Sequence, residues 1–304
     1  MNPFFALSRT VLLRMSRAAA LGRLVQRTAW GRRSVRRFVA GDTIPVAVEV
    51  ALDLKRRGFT VTLDRLGEAS SGAAADAYAA DASSLLTAQA AAGLEPNVSV
   101  KLTAIGLGEG SAIAAERLDR ILATAQGVNG FVRVDAEYPH SLDQMHEIVA
   151  AARAAGRPVG AVVQANMQRS GADVERLIAA GIPVRLVKGA YDPGAEGVGD
   201  MEAVNAAYLA LAERLLASPL PLAFGTHDDR IISKLGAGAR RDSVALRCAF
   251  RTCRTTSRKR LARAHLYAVR PRLVAVLAAS HGGAPGEPAL RVAESDRPLS
   301  LSSW

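Results

Sequence analysis

Phe131-Val132-Arg133-Val134-Asp135-Ala136-Glu137 is the stretch that decides the fold. Its valines alternate with Arg133, Asp135 and Glu137, the period of two that sends successive side chains of a β-strand to opposite faces. A second stretch, Val98-Ser99-Val100-Lys101-Leu102, repeats the device with Ser99 and Lys101 on the polar side. In a parallel sheet closed into a barrel, the apolar set faces the outer helices and the charged set faces the lumen. Burying Lys101, Asp135, Arg185 and Lys188 without partners would be costly. Charges placed late in several strands mark the C-terminal mouth, where barrel active sites are built. A structural ion-pair network explains any one of these residues. It explains four strands ending alike less well.

Outward from these stretches the chain alternates strand and helix. Short β-branched runs fall at Val61–Leu66, Val98–Thr103, Phe131–Glu137, Val159–Ala165, Pro183–Gly189 and Leu220–His227. Between them, Ser141 is placed to cap a helix carrying Leu142, Met145, Ile148 and Val149 that stops at Gly156. Asp173 opens another with Val174, Leu177 and Ile178, ending at Gly181. A third presents Val204, Tyr208, Leu211 and Leu215 as one apolar stripe. This alternation implies a parallel sheet, closed or doubly wound. The first strand–helix turn has no G-x-G-x-x-G pattern, which disfavours the dinucleotide-binding arrangement. The expected organisation is a helical arm over 1–57, a (β/α) barrel over 58–235 and a basic tail over 236–304.

The 304 residues are 49% hydrophobic and 22% charged, a globular balance. No apolar run reaches the roughly 18 residues a membrane span needs. The net charge of +11 is carried by the ends. Residues 1–37 hold nine Arg and no acidic residue, and residues 240–304 hold 13 basic and four acidic ones. The body between them, 38–239, is acidic at −7. With aromatic residues at 5% and no basic groove-facing element, nucleic-acid binding is not expected. The acid-free start, with Phe4, Val11 and Met15 near helical spacing, reads as a basic amphipathic helix or as a mitochondrial transit peptide; the former is preferred. Cys248 and Cys253 have no completing ligands and read as two free thiols. No metal site is expected.

Taken in order, the strand ends Val100-Lys101-Leu102-Thr103, Val134-Asp135-Ala136-Glu137, Val163-Gln164-Ala165, Arg185-Leu186-Val187-Lys188-Gly189-Ala190-Tyr191 and Thr226-His227-Asp228 resemble those of the proline dehydrogenase family. Val61-Thr62-Leu63-Asp64-Arg65-Leu66-Gly67-Glu68 resembles that family's first barrel strand, and the likeness spans roughly residues 30–235. The resemblance implies a distorted (β/α)8 barrel preceded by N-terminal helices. It also implies oxidation of L-proline to pyrroline-5-carboxylate with FAD as immediate acceptor and a membrane quinone beyond it. By the same resemblance Lys101 holds the proline carboxylate, Asp135 is an acidic group beside the substrate, and Arg185 sits at the reactive edge of the flavin. Ala136, Gln164, Lys188, Gly189, Ala190, Thr226 and His227 then contact FAD. The residue types agree: fixed cations suit a ring that gains negative charge, a glutamine offers both donors and an acceptor, and glycine permits close approach. His227 taken alone reads equally well as a core or capping histidine, and Asp143 with Glu147 as a solvated helix face.

The likeness stops near Lys234. Ala239 to Trp304 loses nearly all acidic residues, shows no convincing alternating strands, and gains Arg and Cys, as high-GC coding DNA does when read out of frame. The last two barrel strands are therefore expected to be missing or unreadable. The resemblance implies a C-terminal helix with an arginine pair that clamps the proline carboxylate; neither Arg240-Arg241 nor Arg258-Lys259-Arg260 matches it, so turnover is expected to be impaired. Three rival readings remain: an aldolase-like lyase with Lys188 or Lys101 as Schiff-base nucleophile, an inactive remnant, and a basic-tailed binding protein. High alanine and arginine content points to a bacterial protein on the cytoplasmic side, peripheral to the membrane at most, with a mitochondrial location as the alternative.

Overall fold

The computed structural model describes residues 39–41, 43–57, 59–226, 228–238, 244–247 and 273–279. Nine strands run β1 (Val39–Gly41), β2 (Phe59–Arg65), β3 (Asn97–Val100), β4 (Phe131–Val134), β5 (Val159–Gln164), β6 (Val184–Val187), β7 (Leu222–Gly225), β8 (Val244–Arg247) and β9 (Leu273–Ala279). Among the described residues seven α-helices accompany them: α1 (Ile44–Arg56), α2 (Gly72–Ala91), α3 (Ser111–Gly127), α4 (Leu142–Ala154), α5 (Ser170–Ala179), α6 (Met201–Ala217) and α7 (Asp229–Gly238). All strand pairings are parallel, as strand–helix–strand crossovers require.

From β2 to β8 each strand pairs with the next in sequence, and β9 pairs with both β8 and β2, so eight strands close on themselves. This corrects the expectation that the last two strands are missing. Leu273-Val274-Ala275-Val276-Leu277-Ala278-Ala279 is a continuous apolar run, the pattern of a strand covered on both faces rather than an alternating one. A search for alternation passes over such a run. Pairing of β2 takes up the whole of one β9 edge; the other edge meets β8 at Leu273 and Val274 and β1 at Ala278 and Ala279. The N-terminal helical expectation for residues 1–38 and the thiols Cys248 and Cys253 lie outside the described residues.

The two faces separate as the period of two requires. Val98, Val100, Val132, Val134, Leu63 and Leu186 are buried in one continuous core with helix residues such as Leu54, Tyr78, Leu118, Val149 and Tyr208. On the other face Arg185 reaches across the lumen to Ser99 (Nη1 to Oγ 2.9 Å) and to Thr62 (Nη2 to Oγ1 3.5 Å). These contacts join β6 to β3 and β2. The lumen of this half thus holds a buried guanidinium bonded to hydroxyls of two facing strands.

Local sequence explains the helices with two adjustments. Val204, Tyr208, Leu211 and Leu215 all lie buried along α6, whose Asp200 caps the Glu202 and Ala203 amides at 3.0 Å each. Ser141 precedes α4 as expected, but its hydroxyl donates to the Tyr138 carbonyl (2.8 Å) instead of capping. The helix ends before Gly156, whose φ of 76° is a left-handed conformation glycine adopts freely. Helix α5 starts at Ser170, three residues before Asp173. Asp173 is spent in a buried contact set with Arg169 (2.9 Å) and His146 (3.6 Å), and burial lowers the His146 pKa despite that carboxylate. Asp143 and Glu147 are exposed, as a solvated helix face predicts.

Candidate functional site

A cavity of about 780 Å³ opens at the C-terminal ends of β2 to β7. The strand ends place its walls: Asp64 on β2, Lys101 just past β3, Asp135 and Ala136 past β4, Gln164 closing β5, and Lys188-Gly189-Ala190-Tyr191 past β6. Gly225, Thr226 and Asp228 add the β7 side. Charges gather here because each sits at or just past the last lumen-facing position of its strand.

Three acidic groups surround the first cation. Lys101 Nζ lies 3.2 Å from Asp64 Oδ2, with side chains 13% and 9% exposed. Burial pulls the Lys101 pKa down, but the charges of Asp64, Asp135 and Glu68 and the hydrogen bond to Asp64 outweigh it, and the net direction is up. Lys101 is therefore an ammonium ion at any physiological pH. Asp135 is held from below by Arg185, Nη1 to Oδ1 3.5 Å. Arg185 is only 1% exposed and does not reach the cavity surface, so it lies one layer beneath the floor.

Behind this wall Glu137 is committed to structure. It accepts from the Thr103 amide (3.1 Å) and from the Thr103 hydroxyl, tying the loop after Lys101 to the end of β4. Burial raises its pKa even though both Thr103 hydrogen bonds and the Lys101 charge act downward. Thr103 also accepts from Ser70 N–H through its carbonyl (3.0 Å), which anchors the segment carrying Glu68.

The opposite wall combines the Gln164 side-chain amide with the Lys188–Tyr191 turn. Gln164 donates from Nε2 to the Glu137 carbonyl (2.8 Å) and accepts at Oε1 from Ala190 N–H (3.3 Å). One amide hydrogen and one lone pair of Gln164 remain for a ligand. Gly189 has φ 113°, and a Cβ there would overlap the side-chain amide of Asn166. Asn166 holds the turn from outside, its N–H donating to the Lys188 carbonyl (2.9 Å) and its Nδ2 to the Tyr191 carbonyl (3.2 Å). Lys188 Nζ pairs with Asp228 Oδ2 at 2.9 Å, and that hydrogen bond is the main reason the Asp228 pKa falls from 3.8 to about 2. Tyr191 donates its hydroxyl to Glu68 (2.7 Å); burial, then that bond, holds the phenol pKa well above its usual range.

Of the residues singled out in the sequence, Lys101, Asp135, Ala136, Gln164, Lys188, Gly189, Ala190 and Thr226 line this one cavity. Arg185 contacts it only through Asp135, and His227 lies outside the described residues. Four polar lining residues went without a role: Asp64, Glu68, Tyr191 and Asp228. Asp64 carries the same signal as Asp135, since Thr62 and Asp64 alternate with the apolar Val61 and Leu63 along β2. Glu68, Tyr191 and Asp228 lie beyond the strand ends, where no periodicity reports direction.

A parallel eight-stranded α/β barrel with a charged mouth at its C-terminal face defines the class: a barrel of the enzyme type, with its ligand site on the strand-end loops. The proline dehydrogenase family model matches residues 47–251. Proline dehydrogenase 1 of Bacillus subtilis subsp. natto is 34% identical over 207 residues, covering 67% of this chain and 68% of that one. The Deinococcus radiodurans proline dehydrogenase is 32% identical over 235 residues, 74% of each chain. The chain belongs to the proline dehydrogenase family. Among solved structures, proline utilization A of Bdellovibrio bacteriovorus superposes with a TM-score of 0.70 at 20% identity over 82% of this chain. The match takes in 31% of that much longer protein, and at this identity it speaks for the fold.

Proposed function

We propose that this protein oxidises L-proline to pyrroline-5-carboxylate with FAD bound in the barrel mouth, and passes the electrons to a membrane quinone. The observation that carries the reading is the meeting, around one cavity, of a charged wall from β2–β4 and a wall of the Gln164 amide and the Lys188–Tyr191 turn from β5–β7. FAD, when bound, supplies the acceptor for the hydride leaving the substrate.

The donor set fits a flavin. Gln164 keeps one donor and one acceptor for the edge of a ring that carries both. The Lys188-Gly189-Ala190 turn, with its positive φ, lets backbone come closer than any side chain would permit. Ala136 and Thr226 complete the enclosure, and His227 is assigned to the same cofactor by its place in the motif. Arg185, buried under the floor, supplies a fixed cation that favours negative charge in the ring above it.

The opposite wall fits a small zwitterion. Lys101 is positioned to take a carboxylate, exchanging part of its contact with Asp64 for the ligand. Asp135, held by Arg185 at 3.5 Å, faces the ammonium end. The Schiff-base alternative is disfavoured by the same geometry. A nucleophilic amine must be neutral, whereas Lys101 is driven toward its charged form and Lys188 is paired with Asp228.

Among the described residues no helix is long and apolar enough to cross a membrane. We assign the protein to the cytoplasmic side, with peripheral contact at the membrane as the route to quinone. Turnover is expected to be low, because no arginine pair suited to clamp the substrate carboxylate is legible in residues 240–304, leaving Lys101 the principal anchor. The purified protein should carry a flavin absorbance that L-proline bleaches without oxygen. A colourless protein, combined with borohydride trapping of a carbonyl substrate on Lys101 or Lys188, would replace this reading with the lyase.

A further inference from the structure

Beside the cavity lies a group of rings of which only Tyr191 belongs to a wall. Tyr138, 41% exposed, stacks on His140 with centroids 5.6 Å apart and planes within 13°. The Tyr138 ring also meets Tyr191 edge-on at 4.8 Å and 68°, and Tyr191 lines the cavity. The patch is thus continuous with the mouth, carried on the two strand ends that supply Ala136 and Ala190. Its backbone is fixed: Ser141 donates to the Tyr138 carbonyl through both its amide (3.0 Å) and its hydroxyl (2.8 Å), and Pro139 restricts the turn.

A large aromatic ring left at the surface commonly marks a contact site. Here an exposed ring pair stands at the rim of the cavity, and its imidazole can donate a hydrogen bond to a carbonyl oxygen. These are the features a planar dicarbonyl ring requires: a π-face to stack on and a donor at its edge.

We propose that Tyr138 and His140 form the docking platform for the quinone, with Tyr191 as the shared wall between quinone and cofactor. This rests on the proline-oxidising reading above. In the step it serves, two electrons and one proton would leave the anionic reduced flavin and a second proton would come from solvent, together converting the quinone's two carbonyl oxygens to hydroxyls. Quinol and oxidised flavin would result. The His140 imidazole bonds one of those oxygens.

The test uses the full protein as purified, with a short-chain azidoquinone for photolabelling and the matching unmodified quinone as substrate. Label is expected in the tryptic peptide 134–153, reduced by competing quinone, lost in Tyr138→Leu and retained in Tyr138→Phe. In turnover, Tyr138→Leu and His140→Ala should each raise the quinone KM by about fivefold to tenfold, the effect of losing one ring stack or edge bond. The rise with ferricyanide, which takes electrons without a ring to stack, should be several times smaller. Label confined to peptides that hold none of Tyr138, His140 and Tyr191, label that competing quinone leaves unchanged, or equal KM changes for both acceptors would overturn the platform. Failure of proline to bleach the flavin in the unaltered protein overturns the underlying reading instead, and is read in the absence of any quinone.

Discussion

The β2–β4 side of the mouth and the β5–β7 side bind by different means. Asp64, Lys101 and Asp135 present side-chain charge, each position legible from strand alternation and each held by an opposite charge within 3.5 Å. Gln164 presents a side-chain amide and the Lys188–Tyr191 turn presents backbone groups, the turn held by Asn166 and by a conformation only glycine adopts readily. Charge selects a small ionic substrate and can be removed one residue at a time. A backbone cradle has no side chain to delete and fails only when the chain itself is forced to move.

The largest effect should therefore come from the cradle. Gly189→Ala sets a Cβ into the Asn166 amide at φ 113°, a conformation costing about 1–3 kcal/mol for a residue other than glycine. Flavin content per protein should fall at least about tenfold, since one tenfold step needs only about 1.4 kcal/mol. Unchanged flavin content would break the contrast between the walls. Lys101→Met keeps the aliphatic stem and removes the charge. The proline concentration that half-bleaches the flavin should rise about 10- to 100-fold, the worth of one charge-assisted hydrogen bond, with flavin content kept.

A smaller effect separates the ion pairs by pH. Asp228 has its carboxylate pKa lowered to about 2 from 3.8, so its stabilising contribution is complete above about pH 4 and is lost as pH falls toward 2. Thermal melts of Asp228→Asn should lie below those of the unaltered protein at neutral pH, and the two should converge as pH approaches 2. A gap that widens in acid would contradict the pairing. The smallest effect is expected at Asp143, 69% exposed beside Arg169. Asp143→Ala should change stability by less than about 1 kcal/mol in denaturant unfolding.

Much of this arrangement was readable from residues alone, and the physical reasons for the exceptions are specific. Alternation in Phe131–Glu137 and Val98–Leu102 announced the strands, their faces and the lumenal charges, because a half-polar strand writes its geometry into every second residue. Strand β9 escaped notice because an all-apolar run carries no period. Asp173 was misplaced as a helix start because a carboxylate in the first turn looks the same whether it caps or pairs with Arg169 and His146. Arg185 lies beneath the cavity rather than in its wall, a depth set by the reach to Ser99 and Thr62 across the barrel, and no local pattern encodes that distance. Glu68 and Tyr191 meet only in three dimensions, 123 residues apart in the chain.

The division between the two walls is tested most directly by one paired titration. Unaltered protein, Gly189→Ala and Lys101→Met are each assayed for bound flavin and then titrated with L-proline in the absence of oxygen while flavin absorbance is followed. The account predicts that Gly189→Ala loses the flavin, whereas Lys101→Met retains it and needs far more proline to bleach it. Loss of flavin in Lys101→Met, or full flavin with normal bleaching in Gly189→Ala, would contradict it.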